Sequence, residues 1–257
     1  MRSIEVVALQ LEATPGDRDR NLERFERAVR DETAGADLIV TPELMNAGYD
    51  LALIHQGPDG LAEPLDGPTI ALARDLSRAR EATIVVGLLE RAGERLYDSA
   101  VIVEPGGAVT PYRKSHLFPP ERAEFAAGDE LLQLPTAAGR LGLMICFEHA
   151  FPEIATALAL QGAEILTIPS AVPFGFEHLL TLRTRARAQD NQLFAVACNL
   201  AGNGFCGGSL IVDPRGEVLA AAGTGEEAIR ATLDLDDIER EREREPALRL
   251  RRPSLYD

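Results

Sequence analysis

Three short stretches carry residues whose types suit one another chemically. The run "LGLMICFEHAFPE" (Leu141 to Glu153) places Cys146 where an apolar segment leaves a sheet, just ahead of a proline able to open a helix. The stretch "ADLIVTPE" ends on Glu43, and "YRKSHLFPPERAEFAAGDE" carries Lys114 followed by Glu121 and Glu124. A cysteine nucleophile needs a proton acceptor and a nearby positive charge, because the thiolate is the reactive species. Lys114 suits that charge, and also the oxyanion that forms when an attacked carbonyl turns tetrahedral. Each residue also has an ordinary reading. Cysteine is among the most buried residue types, and a glutamate after a proline at a strand end suits a solvated loop.

The elements that must position these residues follow from periodicity. "IEVVALQL" reads as a strand by its β-branched content, and "TPGD" punctuates it. In "DRNLERFERAVRDETA", Leu22, Phe25 and Val29 recur at helical spacing, and "ADLIVTPE" is the next strand. The same strand, helix, strand grammar returns in "RLGLMIC", "PEIATALALQG" and "AEILTIPSA". It continues in a helix over "FEHLLTLRTRARAQDNQ" and a strand in "LFAVACN". Between these units, "ATIVVGLLER", "RLYDSAVIVEPGG", "AVTPYRK", "GGSLIVDPRGEVLAAAG" and "EAIRATLDLD" read as hairpin strands. The pattern predicts an α/β sandwich with two sheets facing each other and helices outside. Ligands of α/β sheets tend to sit beyond the carboxyl ends of strands, where Glu43 and Cys146 are expected.

Composition narrows the function classes. A chain of 257 residues suits a single domain over 1–257, and no apolar run approaches the roughly 18 residues that span a bilayer. The N-terminus lacks a cleavage site, so no signal peptide is expected and a cytoplasmic location follows. Three cysteines, Cys146, Cys198 and Cys206, without CxxC spacing argue against disulfides and zinc. A net charge of −15 opposes nucleic-acid binding. The mixed run "DLDDIEREREREPALRLRRP" reads as a solvated helix face. Four histidines, His55, His116, His149 and His178, lack metal-ligand spacing. His149, three residues after Cys146, leaves a Cys-His dyad conceivable, though no matching local signature is present. No P-loop, GxGxxG or GxSxG motif occurs.

The ordered set of segments resembles the nitrilase superfamily of carbon-nitrogen hydrolases. "TPELMNAGYD" is similar to that family's glutamate segment, "YRKSHLF" to its lysine segment, and "GLMICFEHAFPE" with "GAEILTIPSA" to its cysteine segment. "RTRARAQDNQLFAVACN", "GGSLIVDPRGEVL" and the closing "RRPSLYD" extend the resemblance over nearly the whole chain. It implies a four-layer α-β-β-α sandwich, with Cys146 as nucleophile, Glu43 as general base and Lys114 at the oxyanion. Glu121, seven residues before Gly128, fits the family's second glutamate, and Glu124 then reads as a surface charge. No cofactor is implied. A homodimer or larger homo-oligomer, paired through the outer helices, is.

Within that family the expected substrate is a small carboxamide, cleaved to the acid and ammonia through a Cys146 thioester. Tyr49, Phe147, His149 and Phe174 are the expected pocket residues. Alternatives are a nitrilase, an N-carbamoyl amidohydrolase, or a catalytically silent scaffold. The residues after the nucleophile read Glu148, His149 and Ala150 rather than arginines, and Glu148 is expected to repel an acidic substrate. Loss of Lys114 is expected to harm turnover, at roughly 2.7 to 4 kcal/mol, much more than folding.

Overall fold

A computed structural model describes residues 2–255. The last two residues of "RRPSLYD", Tyr256 and Asp257, lie outside them. In chain order the first half contains β1 (Ser3–Gln10), α1 (Arg18–Glu32), β2 (Leu38–Val40), α2 (Leu51–Gln56), α3 (Pro68–Arg80), β3 (Thr83–Ala92), β4 (Arg95–Val103) and β5 (Val109–Arg113). The second contains β6 (Gln133–Thr136), β7 (Gly139–Leu143), α4 (Pro152–Leu160), β8 (Ile165–Ser170), α5 (Glu177–Asn191) and β9 (Phe194–Asn199). It closes with β10 (Ala201–Gly202), β11 (Phe205–Cys206), β12 (Leu210–Val212), β13 (Val218–Ala221), β14 (Glu227–Asp234) and α6 (Asp236–Arg244).

Two six-stranded sheets result, in the orders β14-β1-β2-β3-β4-β5 and β13-β12-β9-β8-β7-β6. Each has a parallel core, β1-β2-β3 in one and β7-β8-β9 in the other, flanked by antiparallel strands. Strand alternation sorts the apolar residues into layers. Val6, Ala8, Val40 and Val85 of the first sheet meet Leu141, Leu143, Ile165 and Val196 of the second in one cluster. The opposite faces pack on helices. Val7, Ile39, Ile84 and Val86 lie with Phe25, Val29, Ile70 and Leu76 of α1 and α3, and Leu166, Ile168 and Ala195 lie with residues of α4 and α5. This is the α-β-β-α sandwich expected from the sequence. No helix among the described residues is long and apolar enough to cross a membrane.

Two features are additional to that expectation. Helix α3 buries a stripe of small residues, Thr69, Ala73 and Ser77, between Ile70 and Leu76, which dilutes its apolar periodicity. Strand β14 returns from the chain's end to pair with β1 along its full length, Ser3 facing Asp234 and Gln10 facing Glu227. The first sheet therefore borrows its edge from the second half of the chain. In α6 only Ile238 and Glu241 are buried, so the charged run is a solvated face as read from the sequence.

Candidate active site

Glu43, Lys114 and Cys146 each stand just past a strand end, in a turn held by specific backbone contacts, and Glu121 lies further along the loop after β5. After β2, Thr41 N–H donates to Val85 O (3.0 Å), Met45 N–H to Gly87 O (3.1 Å) and Glu43 N–H across to Ser170 O of β8 (3.4 Å). The turn rides so closely on β3 that a Cβ at Gly87 would stand 2.0 Å from Pro42 O and 2.8 Å from Glu43 Cα. After β5, Lys114 N–H donates to Asp98 O and Lys114 O accepts from Gly128 N–H, both at 2.9 Å. Here too glycine is required, because a Cβ at Gly128 would lie 2.2 Å from Arg113 O.

Cys146 takes the left-handed backbone conformation, φ 44°, three residues beyond β7. Such a conformation costs a β-carbon-bearing residue about 1–3 kcal/mol and persists only where its surroundings hold it. Glu148 supplies that hold. Its Oε2 accepts from Ile145 N–H at 2.7 Å. Its Oε1 accepts from Tyr112 OH (2.7 Å), Ser115 N–H (2.8 Å), Ser115 Oγ (2.5 Å) and His116 N–H (3.2 Å). One buried carboxylate thus clasps the cysteine turn of the second sheet to the lysine loop of the first. This corrects the expectation for substrate choice: Glu148 is fully buried and saturated with donors, so it does not stand in the pocket to repel an acid.

The three turns converge on one ammonium. Lys114 Nζ donates to Glu43 Oε1 at 2.5 Å, Glu121 Oε1 at 2.7 Å and Asp98 Oδ2 at 2.9 Å, and all four side chains are buried. Burial opposes the ammonium, but Asp98, Glu43, Cys146 and Glu121 outweigh it and hold Lys114 well above its ordinary value. Burial lifts the Glu43 carboxyl well above the usual range, with Lys114 pulling it back. Burial also pushes the half-buried Cys146 thiol up; the Glu43 charge adds to that, and Lys114 opposes it. Burial thus favours the thiol form of Cys146 over a thiolate.

Glu121 is anchored by Tyr49 OH on Oε1 and Phe118 N–H on Oε2, both at 2.7 Å. Glu124 is half-buried, paired through its Oε1 with exposed His55 Nδ1 at 3.0 Å. An oxygen from each of Glu43, Asp98 and Glu121 lies within 4.8 Å of the other two, a spacing that suits a cation. The cation bonded to all three is Lys114 Nζ.

The expected pocket residues are dispersed. Tyr49 reaches the cluster directly through Glu121. Phe147, next to the nucleophile, stacks edge-on with Phe118 and Phe151 at 5.3 and 5.4 Å. His149 is only 3% exposed and faces α5, its Nε2 accepting from Arg183 Nη1 at 3.2 Å and its carbonyl from Arg187 Nε at 3.1 Å. Burial, then Arg183 and Arg187, push it down to about 3, so it stays neutral. Phe174 stands 53% exposed on the loop after β8, its N–H donating to Gly204 O.

Asp98 is absent from the residues singled out in the sequence. Its signal lay in "RLYDSAVIV", where alternation puts an acid in line with Ala100 and Ile102 on the apolar inner face. The Lys114 correction belongs with it. With three buried carboxylates depending on one ammonium, losing Lys114 must harm folding, in addition to the loss of turnover expected from the sequence.

The carbon-nitrogen hydrolase family model matches residues 5–243. The chain belongs to the carbon-nitrogen hydrolase family. This hydrolase is 37% identical over 243 residues to an (R)-stereoselective amidase of a Pseudomonas species, covering 91% of this chain and 86% of that one. It is 32% identical to the 2-oxoglutaramate amidase of Bacillus subtilis, covering 98% of each. Among solved structures, the carbon-nitrogen hydrolase of Helicobacter pylori G27 superposes with a TM-score of 0.89 at 28% identity, over 99% of this chain and 97% of that one. A mutant of the Nesterenkonia sp. AN1 amidase, with acrylamide added to its active-site cysteine, superposes at 0.84 with 26% identity and 98% coverage of each chain. The protein is thus a hydrolase of carbon–nitrogen bonds.

Proposed function

We propose that the protein is an amidase that cleaves a small carboxamide to its acid and ammonia, with Cys146 as nucleophile, Glu43 as base and Lys114 at the oxyanion. The observation that carries this reading is the buried contact of Glu43 and Glu121 with Lys114 Nζ, in charge contact with a cysteine held at positive φ. As Cys146 Sγ attacks the carbonyl carbon, Glu43 takes the thiol proton, a transfer favoured by its raised basicity. The oxyanion rests between Lys114 Nζ and the Phe147 N–H. The C–N bond breaks, the leaving nitrogen takes its proton from Glu43, and a thioester remains. A water deprotonated by Glu43 then releases the acid and restores the thiol. Glu121, fixed by Tyr49 and Phe118, holds Lys114 in place.

Tyr49 and Phe147 form the pocket walls in this reading, His149 supports the cysteine turn from below, and Phe174 stands at the rim. With Glu148 engaged in the clasp, amides bearing a distal carboxylate fall within the substrate range. The amidase names of the relatives favour carboxamides over nitriles and N-carbamoyl compounds. We also propose a homo-oligomer paired through α5, whose outer face exposes Leu182 beside Arg185 and Gln189.

The test is ammonia release from neutral and carboxylate-bearing amides, nitriles and N-carbamoyl compounds, with Cys146→Ala beside the wild type. Release from amides that disappears in a folded Cys146→Ala supports the reading. Release from nitriles or carbamoyl compounds alone replaces it with the corresponding hydrolase, and an active Cys146→Ala removes the mechanism.

A further inference from the structure

Asp98 is a buried acid with no part in the cycle just described. It projects from β4 into the space between the sheets, donating nothing and accepting from Lys114 Nζ at 2.9 Å. One ammonium thus faces three carboxylates. Their remaining oxygens are not equally provided for. Glu121 has the Tyr49 hydroxyl and the Phe118 N–H in addition to Lys114. Glu43 Oε2 and Asp98 Oδ1 are buried with no hydrogen-bond donor among the described residues. The Glu43 and Asp98 carboxyls also lie within hydrogen-bonding reach of each other, which two carboxylate anions in a dry site do not tolerate.

We propose that Asp98 is a positioning residue that sets the protonation state of Glu43: the two carboxyls share one proton while Asp98 anchors Lys114 Nζ. The shared proton is the donor that the cluster otherwise lacks, and it halves the excess negative charge around the ammonium. It also leaves Glu43 able to accept the thiol proton, because the existing proton shifts toward Asp98 as Glu43 is called on. The groups facing the pair are Lys114, Glu121, Cys146 and, beyond Glu121, Tyr49. Glu90 and Arg113 pair with each other, and with Ser99 and Tyr97, on the other face of the same strands. They do not enter the pair's balance by contact.

The inference rests on the Glu43–Lys114–Cys146 reading, and its test separates the two. Asp98→Asn keeps the shape and the contact but removes one negative charge and the shared proton. In a pair that already holds one proton the acid limb of kcat/KM is the uptake of a second, so it is then expected to move to higher pH by about one unit, since Glu43 loses the partner whose shared proton stabilises its charge. A purely structural role would lower kcat or stability and leave that limb in place; an unmoved limb overturns the proposal. Infrared spectra of wild-type protein isotope-labelled at aspartate and glutamate carboxyls provide a readout that needs no variant. A buried protonated carboxyl band at neutral pH is expected, and its absence overturns the proposal even if Asp98→Asn does not fold. Failure of the underlying reading shows differently, as turnover by Cys146→Ala.

Discussion

Lys114 is surrounded by acids and sealed from water, so its charge is a structural requirement as well as part of the proposed cycle. Removing one partner of a buried ionic cluster typically costs about 3–5 kcal/mol, comparable to the loss expected from an oxyanion donor. Lys114→Met should therefore abolish turnover and also lower stability by about that amount. The deficit should depend on pH. Burial raises the folded-state values of Glu43 and Glu121 and Lys114 pulls both back, so without the ammonium they stand further above their unfolded values. The native state then binds more protons than the unfolded state, and stability falls as pH rises through that interval. Denaturant titrations of the variant at acid and alkaline pH should show the smaller deficit at acid pH; a deficit independent of pH would contradict the account. His149, pushed down to about 3, contributes no charge change across the working range.

At the scale of elements, the site is made by strand ends and by the glycines that let turns approach them. Gly87 sits within β3, and nothing in its place can carry a β-carbon without moving Pro42 and Glu43. Gly87→Ala should leave the sandwich folded and lower kcat/KM by about 10²-fold, the cost of shifting a catalytic group by about an ångström. Circular dichroism beside steady-state kinetics checks this. The strands that carry Glu43, Lys114 and Cys146 were legible in the sequence, because β-branched apolar runs bounded by turn residues announce strands and their ends. Helix α3 was not, since small buried residues carry little periodicity. The sequence also marks the turns after β2, β5 and β7 but not which way an acid points. Asp98 and Glu148 are both ordinary acids in isolation; only packing reveals that one faces Lys114 and the other clasps two loops.

At the scale of the molecule, a surface with a net charge of −15 still leaves apolar groups in water. Leu182 on α5 is 61% exposed, in a groove lined by Thr181, Ala186, Gln189 and Arg215. If this face pairs copies of the chain, Leu182→Glu should reduce the sedimentation coefficient toward that of a monomer of 27.8 kDa without unfolding it. An unchanged oligomer would place the contact elsewhere. The division of labour between the sheets has a further consequence. Glu43, Asp98, Lys114 and Glu121 belong to the first sheet and its loops and Cys146 to the second, with Glu148 joining the two. The groups of the proposed site therefore depend on how the two slabs sit on each other. On the proposed mechanism, a small slip between them, too slight to expose the core, parts the sulfur from Glu43, so catalysis would act as a gauge of alignment that fails before the architecture does.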